Sequence, residues 1–316
     1  MKILITGGFG YLGGRLANFL SSKKVDIYLG SRYLKLNPSW CPQAKTIKID
    51  WNKEESIDEA VNNIDVIIHM AALNAEECSE NEDLAYQVNV LNTKKIIDSA
   101  IRKNVSKIIY LSTIHVYGSP LKGNLSEEID VNPEHPYAKT HLQAEKILLN
   151  AFKKNQIDLN IIRLSNAFGP PVEKDANCWM LVFNDFCLQA LNTKKIIIKS
   201  LINVKRDFVP ISYVNSSIFH FINKAMNKSS NNVLYNIGGK HNISILDAAN
   251  IIKSRIFLKT GNEIEIIFNQ DIKDNVHDFS FNINKILKSG LNNVEKIDIN
   301  FEIDSLIDFC LINMAK

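Results

Sequence analysis

A tyrosine, a lysine and a histidine stand two residues apart in the segment HPYAKTHLQAE, and the sequence that follows has helical periodicity. Residues four apart share a helix face, whereas residues two apart do not. Tyr137 and His141 can therefore act together, while Lys139 points elsewhere. A tyrosine has an unperturbed pKa near ~10, so it needs help from a neighbour to act as a base near neutral pH.

A glycine-rich segment near the N-terminus is the second chemical feature. The segment ITGGFGYLGGRL contains Gly8-x-Gly10-x-x-Gly13 and lies between a first predicted strand and a first predicted helix. Glycines bring backbone N–H groups close to a phosphate, and the positive end of the helix favours its charge. This context predicts a dinucleotide site rather than a ligand-free turn. The cofactor contacts predicted here are Gly7, Gly10, Tyr11, Leu12 and Gly13.

The end of the second predicted strand indicates which dinucleotide binds. An NAD site usually offers an acidic residue there to the adenosine ribose. The segment YLGSR offers Ser31 and Arg32 instead, and Arg32 can pair with a 2′-phosphate. NADP is therefore the expected cofactor, and NAD is the alternative.

The composition sets broad limits on the class of protein. The 316 residues are 46% hydrophobic and 22% charged, and the net charge of +3 is too small to favour nucleic acid or an anionic membrane surface as a partner. No apolar run approaches the ~20 residues of a membrane span. The five cysteines are scattered without a CxxC pair, which favours a reduced, cytoplasmic protein without disulfides or structural zinc.

Strands alternate with helices over the first half of the chain, which predicts an α/β fold with a doubly wound, Rossmann-like parallel sheet. After the segment GPPVEKDANCW the pattern loosens. We expect a dinucleotide-binding domain over 1–165 and a smaller α/β substrate lobe over 166–316, with part of 203–235 returning to the first domain.

Together these motifs resemble the extended short-chain dehydrogenase/reductase family, the group of nucleotide-sugar epimerases, dehydratases and reductases. The resemblance extends over nearly the whole chain. It rests on TGGFGYLG at the start, DVIIHMAA at 65–72, NVLNT at 89–93, STIHVYG at 112–118, PYAKTH at 136–141, RLSNAFGP at 163–170, RDFVPISYV at 206–214 and YNIGG at 235–239.

The resemblance implies catalytic roles for three residues. Thr113 contacts the reacting sugar oxygen, and Tyr137 exchanges a proton with that oxygen while hydride moves to or from the nicotinamide. The residue four after the tyrosine is normally a lysine that binds the nicotinamide ribose, and here it is His141. Histidine carries a positive charge only when protonated, so the exchange favours the reductive direction, in which the tyrosine gives a proton.

Further positions follow from the same resemblance. Ile114 and His115 replace the Asp-Glu pair of family dehydratases, which argues against 4,6-dehydration. His115 is either a second acid/base or a packed side chain, and Asn89 corresponds to an asparagine at a helix kink. His277 stands near the place of a second phosphate-binding arginine. The remaining cofactor contacts implied are Asp50, Trp51, Met70, Ala71 and Ala72, and the remaining substrate contacts are Asn166 and Arg206.

The function that the resemblance implies is NAD(P)-dependent reduction of a 4-keto nucleotide sugar. A nucleotide-sugar 4-epimerase is the alternative, because it would use the same residues. A protein of another class, which binds a dinucleotide without turnover, is the third possibility that the missing lysine leaves open. Family members commonly dimerise through the helix that carries the tyrosine and the helix before it, so a homodimer is expected.

Overall fold

The computed structural model describes residues 1–154, 157–224, 233–240, 242–268, 278–291 and 298–314. The chain divides into two compact units. The first comprises Met1–Ser119, Glu127–Leu164 and Ser217–Tyr235, and the second comprises Pro120–Ser126, Ser165–Ser216 and Asn236–Lys316. His277 lies outside the described residues.

A seven-stranded sheet forms the centre of the first unit. Its strands are β1 (Lys2–Thr6), β2 (Asp26–Ser31), β3 (Lys45–Lys48), β4 (Val66–His69), β5 (Lys107–Thr113), β7 (Asp158–Leu164) and β11 (Leu234–Ile237). The spatial order is β3-β2-β1-β4-β5-β7-β11, and the strands from β3 to β7 pair in parallel. The order reverses beside β1, where doubly wound folds bind nucleotides. The predicted Rossmann-like fold is confirmed.

Helices flank this sheet. They are α1 (Tyr11–Leu20), α2 (Glu54–Val61), α3 (Ala75–Glu80), α4 (Glu82–Ala85), a π-helical turn (Tyr86–Leu91), α5 (Asn92–Arg102), a 3₁₀ turn (Ile114–Tyr117) and α6 (Pro136–Lys153). The strands are continuous apolar runs because helices cover the sheet; Ile3, Leu4 and Ile5 are fully buried. No described helix has the length and hydropathy to cross a membrane.

The second unit contains short strands and longer helices. Its elements are β6 (Gly123–Leu125), β8 (Asn166–Phe168), α7 (Val182–Thr193), β9 (Lys195–Ile198), β10 (Lys205–Pro210), β12 (Asn242–Ser244), α9 (Ile245–Thr260), β13 (Glu265–Phe268), β14 (Phe279–Phe281), α10 (Asn284–Lys288) and α11 (Ile299–Asn313). Helix α8 (Ile211–Asn223) has residues in both units. The strands pair as β12-β10-β8, β13-β9 and β14-β6.

Two elements differ from the sequence prediction. The segment LAYQVNVLNTKKIIDSAIRKN has the periodicity of one helix over 84–104, but a π-helical turn at Tyr86–Leu91 divides it into α4 and α5. The segment DLNIIRLSNAFGP reads as one strand over 158–170, but it breaks at Ser165 into β7 and β8, which belong to different sheets. Apolar periodicity cannot distinguish these cases, because an extra residue in a turn or a change of sheet leaves the pattern of buried positions almost unchanged.

The turn after β1 depends on a close backbone approach. Gly7 has φ of +72°, and a Cβ at Gly13 would lie 2.3 Å from the carbonyl oxygen of Gly7. Because the obstructing atom belongs to the backbone, no side-chain movement relieves the clash. The Cβ of a residue at Gly10 would lie 3.2 Å from the same oxygen.

We predict that Gly13→Ala lowers the free energy of unfolding more than Gly10→Ala does. The expected loss for Gly13→Ala is about 1–3 kcal/mol, as for other overpacked positions. Urea unfolding of both variants and the parent measures it. Equal losses would show that the turn can widen at no cost.

Candidate active site

A cavity of about 300 Å³ opens beside the glycine turn, at the carboxyl ends of β1, β2 and β4. Helix α1 begins here with Gly10 at its N-cap, and no side chain caps its first N–H groups. These N–H groups are suited to a phosphate. The predicted cofactor residues that line the cavity are Gly7, Gly10, Ser31, Arg32, Trp51, Ala71 and Ala72.

The other predicted cofactor residues have different positions. Of the described residues, Tyr11, Leu12, Gly13, Asp50, Met70, Tyr137 and His141 lie outside the lining. Asp50 instead makes local turn contacts: its side chain accepts a hydrogen bond from the backbone N–H of Asn52 at 3.1 Å, and its own N–H donates to Ser56 at 3.0 Å. This geometry is that of a turn residue before α2.

Sequence reasoning did not find several lining residues, of which Lys35 is the most informative. The ammonium of Lys35 lies 4.5 Å from the ring centre of Phe9, and both residues line the cavity beside Arg32 and Tyr33. No aspartate or glutamate is among the described residues that line it. A second basic residue three positions after Arg32 was the available sequence signal. The cavity therefore has a cationic, acid-free side.

A buried histidine joins the ends of β1 and β4. The Oγ1 of Thr6 accepts from the backbone N–H groups of Met70 and Ala71, at 3.2 and 3.3 Å, and lies 2.6 Å from Nδ1 of His69. The other ring nitrogen, Nε2, lies 3.0 Å from Oγ1 of Thr93. Both nitrogens thus have partners, and burial lowers the pKa of His69 to about 4.

The π-helical turn carries Asn89, which is buried and links three segments. Its side-chain oxygen accepts from the backbone N–H of Leu73 at 2.8 Å, and its amide donates to the hydroxyl of Thr140 on α6 at 3.1 Å. The same amide donates to the sulfur of Cys78 at 3.4 Å. These contacts fix the loop after β4 against the helix that carries Tyr137. Asn89 is therefore structural in this state.

The three predicted catalytic residues lie together. Tyr137 is half-buried on α6, and its hydroxyl forms a hydrogen bond with Thr113 at the end of β5. The rings of Tyr137 and His141 meet edge to face, with centres 4.5 Å apart. Lys139 is exposed. The helical spacing thus places the histidine, and not the lysine, beside the tyrosine.

The electrostatics of this group favour its neutral forms. Burial raises the pKa of Tyr137 to about 12, although the hydrogen bond with Thr113 acts in the opposite direction. Burial, with smaller contributions from His69 and His115, lowers the pKa of His141 to about 3. An unperturbed histidine would gain its charge near pH ~6.5, but burial prevents His141 from doing so. Both side chains are uncharged at neutral pH.

One ring nitrogen of His141 has a hydrogen-bond partner, and the other has none among the described residues. Its Nδ1 lies 2.8 Å from the hydroxyl of Tyr110 on β5, and the ring is 3% exposed. Its Nε2 is buried and has no hydrogen-bond partner among the described residues. Buried polar atoms without partners are rare in folded proteins and require an explanation. A bound ligand with a hydroxyl group would provide one.

His115 and Ile114 complete the surroundings of the tyrosine. His115 is exposed, its backbone N–H donates to Thr113 at 3.2 Å, and its ring centre lies 6.3 Å from that of Tyr137. Ile114 is buried and cannot transfer a proton. The position after Thr113 therefore offers no acid/base group.

A buried ion pair that the sequence reasoning missed holds α6 against the sheet. Glu145 accepts from Nε and Nη2 of Arg163 at 3.1 and 2.8 Å, and from the hydroxyl of Ser112 at 2.5 Å. Glu145 lies on the same helix as Tyr137, and Ser112 precedes Thr113. The carboxylate therefore links α6, the helix that carries Tyr137, to the two strands beneath it.

The two remaining predicted substrate residues belong to the second unit. The amide of Asn166 donates to the backbone carbonyl of Asp207 at 2.9 Å. Arg206 is half-buried, and burial lowers its pKa. A salt bridge between Arg206 and Asp207 is not among the ion pairs of the described residues; Asp207 instead accepts from the N–H of Gly239 at 2.9 Å. Arg206 is thus a desolvated cation.

The first unit has the features that a nicotinamide dinucleotide requires. The glycine turn and the open helix N-terminus suit a pyrophosphate, the cavity has room for an adenosine, and the open Nε2 of His141 suits a ribose hydroxyl. Within the described residues no cluster of three His, Cys, Asp or Glu side chains fits a metal ion, and the five cysteines are free and buried.

Comparison with known proteins decides the family. The family model of the NAD dependent epimerase/dehydratase family matches residues 3–238. The chain belongs to this family. It is an extended short-chain dehydrogenase/reductase, as the motifs predict, and nucleotide-sugar epimerases and dehydratases are its relatives.

The relatives are identical to this chain at about a quarter of the aligned residues. A dTDP-D-glucose 4,6-dehydratase of Dictyostelium discoideum is 27% identical over 78% of this chain, and the chain covers 60% of that protein's length. A Bacillus subtilis protein, the uncharacterized UDP-glucose epimerase YtcB, is 27% identical over 80% of this chain and 81% of its own length.

Solved structures of similar fold cover nearly the whole chain. A Thermotoga maritima UDP-glucose 4-epimerase with UDP-glucose has a TM-score of 0.81 and 18% identity, with 99% of each chain covered. A Bacillus cereus UDP-glucuronic acid 4-epimerase with UDP-glucuronic acid and NAD has a TM-score of 0.78 and 22% identity, again with 99% of each chain covered. At these identities the similarity concerns the fold.

We predict that stability falls as the pH drops from 7 towards 4. The unfolded chain protonates its histidines near ~6.5, whereas the folded chain keeps His69 and His141 neutral to about 4 and 3. The unfolded state therefore binds more protons over this range, and each histidine costs about 1.4 kcal/mol per pH unit below ~6.

Urea unfolding at pH 7.5 and pH 5 measures this loss. His141→Phe removes one of the two buried titrating groups and should flatten the dependence by about half. His115→Gln changes an exposed histidine and should retain the steep dependence. A parent protein whose stability is equal at both pH values would contradict the assignment of two neutral buried histidines.

Proposed function

We propose that this protein is an NADP-preferring oxidoreductase that reduces a 4-keto nucleotide sugar. One observation carries the direction: the Tyr137 hydroxyl is hydrogen-bonded to Thr113, next to a neutral His141, and its pKa is raised to about 12. A tyrosine with this pKa is protonated at neutral pH, so it has a proton to give and does not act as a base without help. Reduction of a ketone requires a donor at the oxygen, whereas oxidation of an alcohol requires a base there first.

The chain's own residues would act as follows. A reduced nicotinamide cofactor, when bound, would supply the hydride that the C4 carbon receives. The Tyr137 hydroxyl gives its proton to the C4 oxygen, so that the ketone becomes a secondary alcohol. Thr113 donates a hydrogen bond that polarises the same oxygen. His141 offers its open Nε2 to the cofactor ribose and so keeps the cofactor in place.

The preference for NADP is supported by the cavity wall. Arg32 and Lys35 line it, and no acidic side chain is among its described residues. A 2′-phosphate gains charge-assisted hydrogen bonds from such a wall, whereas a ribose diol gains little. NAD remains the alternative, since the Bacillus cereus enzyme of similar fold is described in complex with NAD.

The nucleotide of the substrate is supported by the second unit. Arg206 is a desolvated guanidinium without a carboxylate partner among the described residues, and such a group is suited to a diphosphate. Asn166 lies on β8, the strand paired with β10, which carries Arg206. Relatives named as UDP-glucose and dTDP-glucose enzymes agree with a nucleotide sugar.

A nucleotide-sugar 4-epimerase is the second candidate. The relatives and the proteins of similar fold include 4-epimerases, and that reaction would use Tyr137 and Thr113 in both directions. It would also require Tyr137 to accept a proton in its first step. A neutral His141 does not provide the positive charge that promotes this step.

The first test mixes the purified protein with NADPH and a panel of 4-keto nucleotide sugars and follows the nicotinamide absorbance. We expect a decrease in absorbance that falls ~100-fold or more in Tyr137→Phe, because this change removes the acid but keeps the ring. Lys139→Ala alters an exposed lysine of the same helix and should retain the rate. Sugar conversion without net cofactor oxidation would indicate the epimerase, and binding without either would indicate a non-catalytic protein.

The second test concerns the cofactor. Arg32→Ala and Lys35→Ala should each weaken NADP binding and leave NAD binding nearly unchanged, because a charge-assisted hydrogen bond contributes roughly 1.5–3 kcal/mol. Calorimetric titration with both dinucleotides measures this. Lys45→Ala, whose lysine stacks on Tyr28 on β2, is the matched control for loss of a nearby positive charge. Equal losses for NADP and NAD would contradict the preference.

A further inference from the structure

Two buried histidines of the first unit differ in how many of their ring nitrogens have hydrogen-bond partners. Both nitrogens of His69 have partners, in Thr6 and Thr93. His141 has a partner for Nδ1 alone, the hydroxyl of Tyr110 at 2.8 Å. The first arrangement satisfies both nitrogens, while the second leaves one buried nitrogen, Nε2, without a partner among the described residues. Tyr110, as the hydrogen-bond partner of Nδ1, therefore affects the protonation of the unpaired Nε2.

The hydrogen bond between Tyr110 and His141 can be made in two ways. Either the phenol donates to a bare Nδ1, or Nδ1–H donates to the phenol oxygen. In the second case the phenol proton and the Nε2 lone pair are both left without partners inside the protein, where each unmade hydrogen bond is costly. In the first case the phenol proton and Nδ1 satisfy each other, and one donor, Nε2–H, remains. The first arrangement is therefore favoured.

The surroundings keep both groups neutral. Burial, and after it the proximity of Glu145 and Tyr137, raise the pKa of Tyr110 well above its usual value, so the phenol retains its proton. His141 is neutral at working pH for the reason given above. A neutral imidazole carries one proton, and its two nitrogens differ according to the hydrogen bond that the other one makes.

We infer that Tyr110 is a positioning residue: its hydroxyl fixes the ring orientation and the tautomer of His141, so that Nε2 carries a hydrogen and can donate to a hydroxyl of the bound dinucleotide. A lysine ammonium always has a donor to offer, whereas a neutral histidine has one at Nε2 only in the correct tautomer. Tyr110 thus makes a neutral histidine equivalent to lysine as a donor. This inference rests on the role proposed for His141.

A space-filling role for Tyr110 predicts different behaviour. Phenylalanine would fill almost the same volume on β5 and would keep the ring contact with His69, whose centre lies 5.8 Å away. If the ring alone mattered, Tyr110→Phe would be silent. The hydroxyl has no other hydrogen-bond partner among the described residues, so its removal tests the contact with His141 directly.

Two measurements test the inference. The first is ¹⁵N NMR of the histidine rings in the ligand-free protein, which distinguishes a protonated Nε2 from a protonated Nδ1. The second is the dissociation constant for the reduced dinucleotide in six proteins: the parent, Tyr110→Phe, His141→Ala, the double variant, His141→Lys, and His141→Lys with Tyr110→Phe. Tyr28→Phe, which changes a partly buried tyrosine on β2 of the same sheet, is the control and should bind as the parent does.

We expect the parent to show the Nε2–H tautomer and Tyr110→Phe to show a mixture. Tyr110→Phe should weaken dinucleotide binding by about 3- to 10-fold, the range for one lost hydrogen bond. The double variant should bind no more weakly than His141→Ala, because Tyr110 acts through the histidine. In the His141→Lys protein, Tyr110→Phe should have no effect.

Other outcomes separate the two proposals. Weakening by His141→Ala but not by Tyr110→Phe, or an Nδ1–H tautomer in the parent, would overturn the inference and leave the role of His141 intact. No change in either single variant would overturn that role itself. Additive losses in the double variant, or an equal loss from Tyr110→Phe in the lysine protein, would assign Tyr110 a merely structural effect.

Discussion

The carboxyl ends of β1 and β4 are buried, and the polar groups there must find partners within the chain. They do so in one continuous series of hydrogen bonds, which runs through Thr6, His69, Thr93, Asn89, Thr140 and the backbone carbonyl of Tyr137. The series begins where the glycine turn leaves β1 and ends at α6, the helix that carries Tyr137. The cofactor cavity and the tyrosine are thereby held by the same network, and a group buried without a partner would be expensive anywhere along it.

Much of this arrangement was accessible from the sequence, because periodicity and spacing are local. The glycine turn, the alternation of strands and helices and the shared face of Tyr137 and His141 all follow from neighbours in the chain. Lys139 is exposed for the same reason. The motifs also identified the family, since each lies at a fixed place among the successive strands and helices of the chain.

The remainder depends on contacts between distant segments, which spacing does not encode. The bond between Tyr110 and His141 requires the register of β5 against α6, and the pair of Glu145 with Arg163 requires that of α6 against β7. The same limit applies to pKa values. A histidine in a sequence has its ordinary pKa, and only the packed structure shows that burial removes its charge at neutral pH. In the sequence, a histidine in place of lysine suggests a charge that depends on pH. In the structure, His141 is neutral at neutral pH.

The π-helical turn at Tyr86–Leu91 has a consequence for how this protein tolerates change in length. Such a turn holds one residue more than a regular helix would, and Asn89 lies within it. Deletion of a single residue there would close the turn into an ordinary helix and change the directions in which its side chains point. The amide of Asn89 could then no longer face both Leu73 and Thr140. A substitution in this segment changes one side chain. The loss of one residue changes the backbone itself and separates the segments that Asn89 joins.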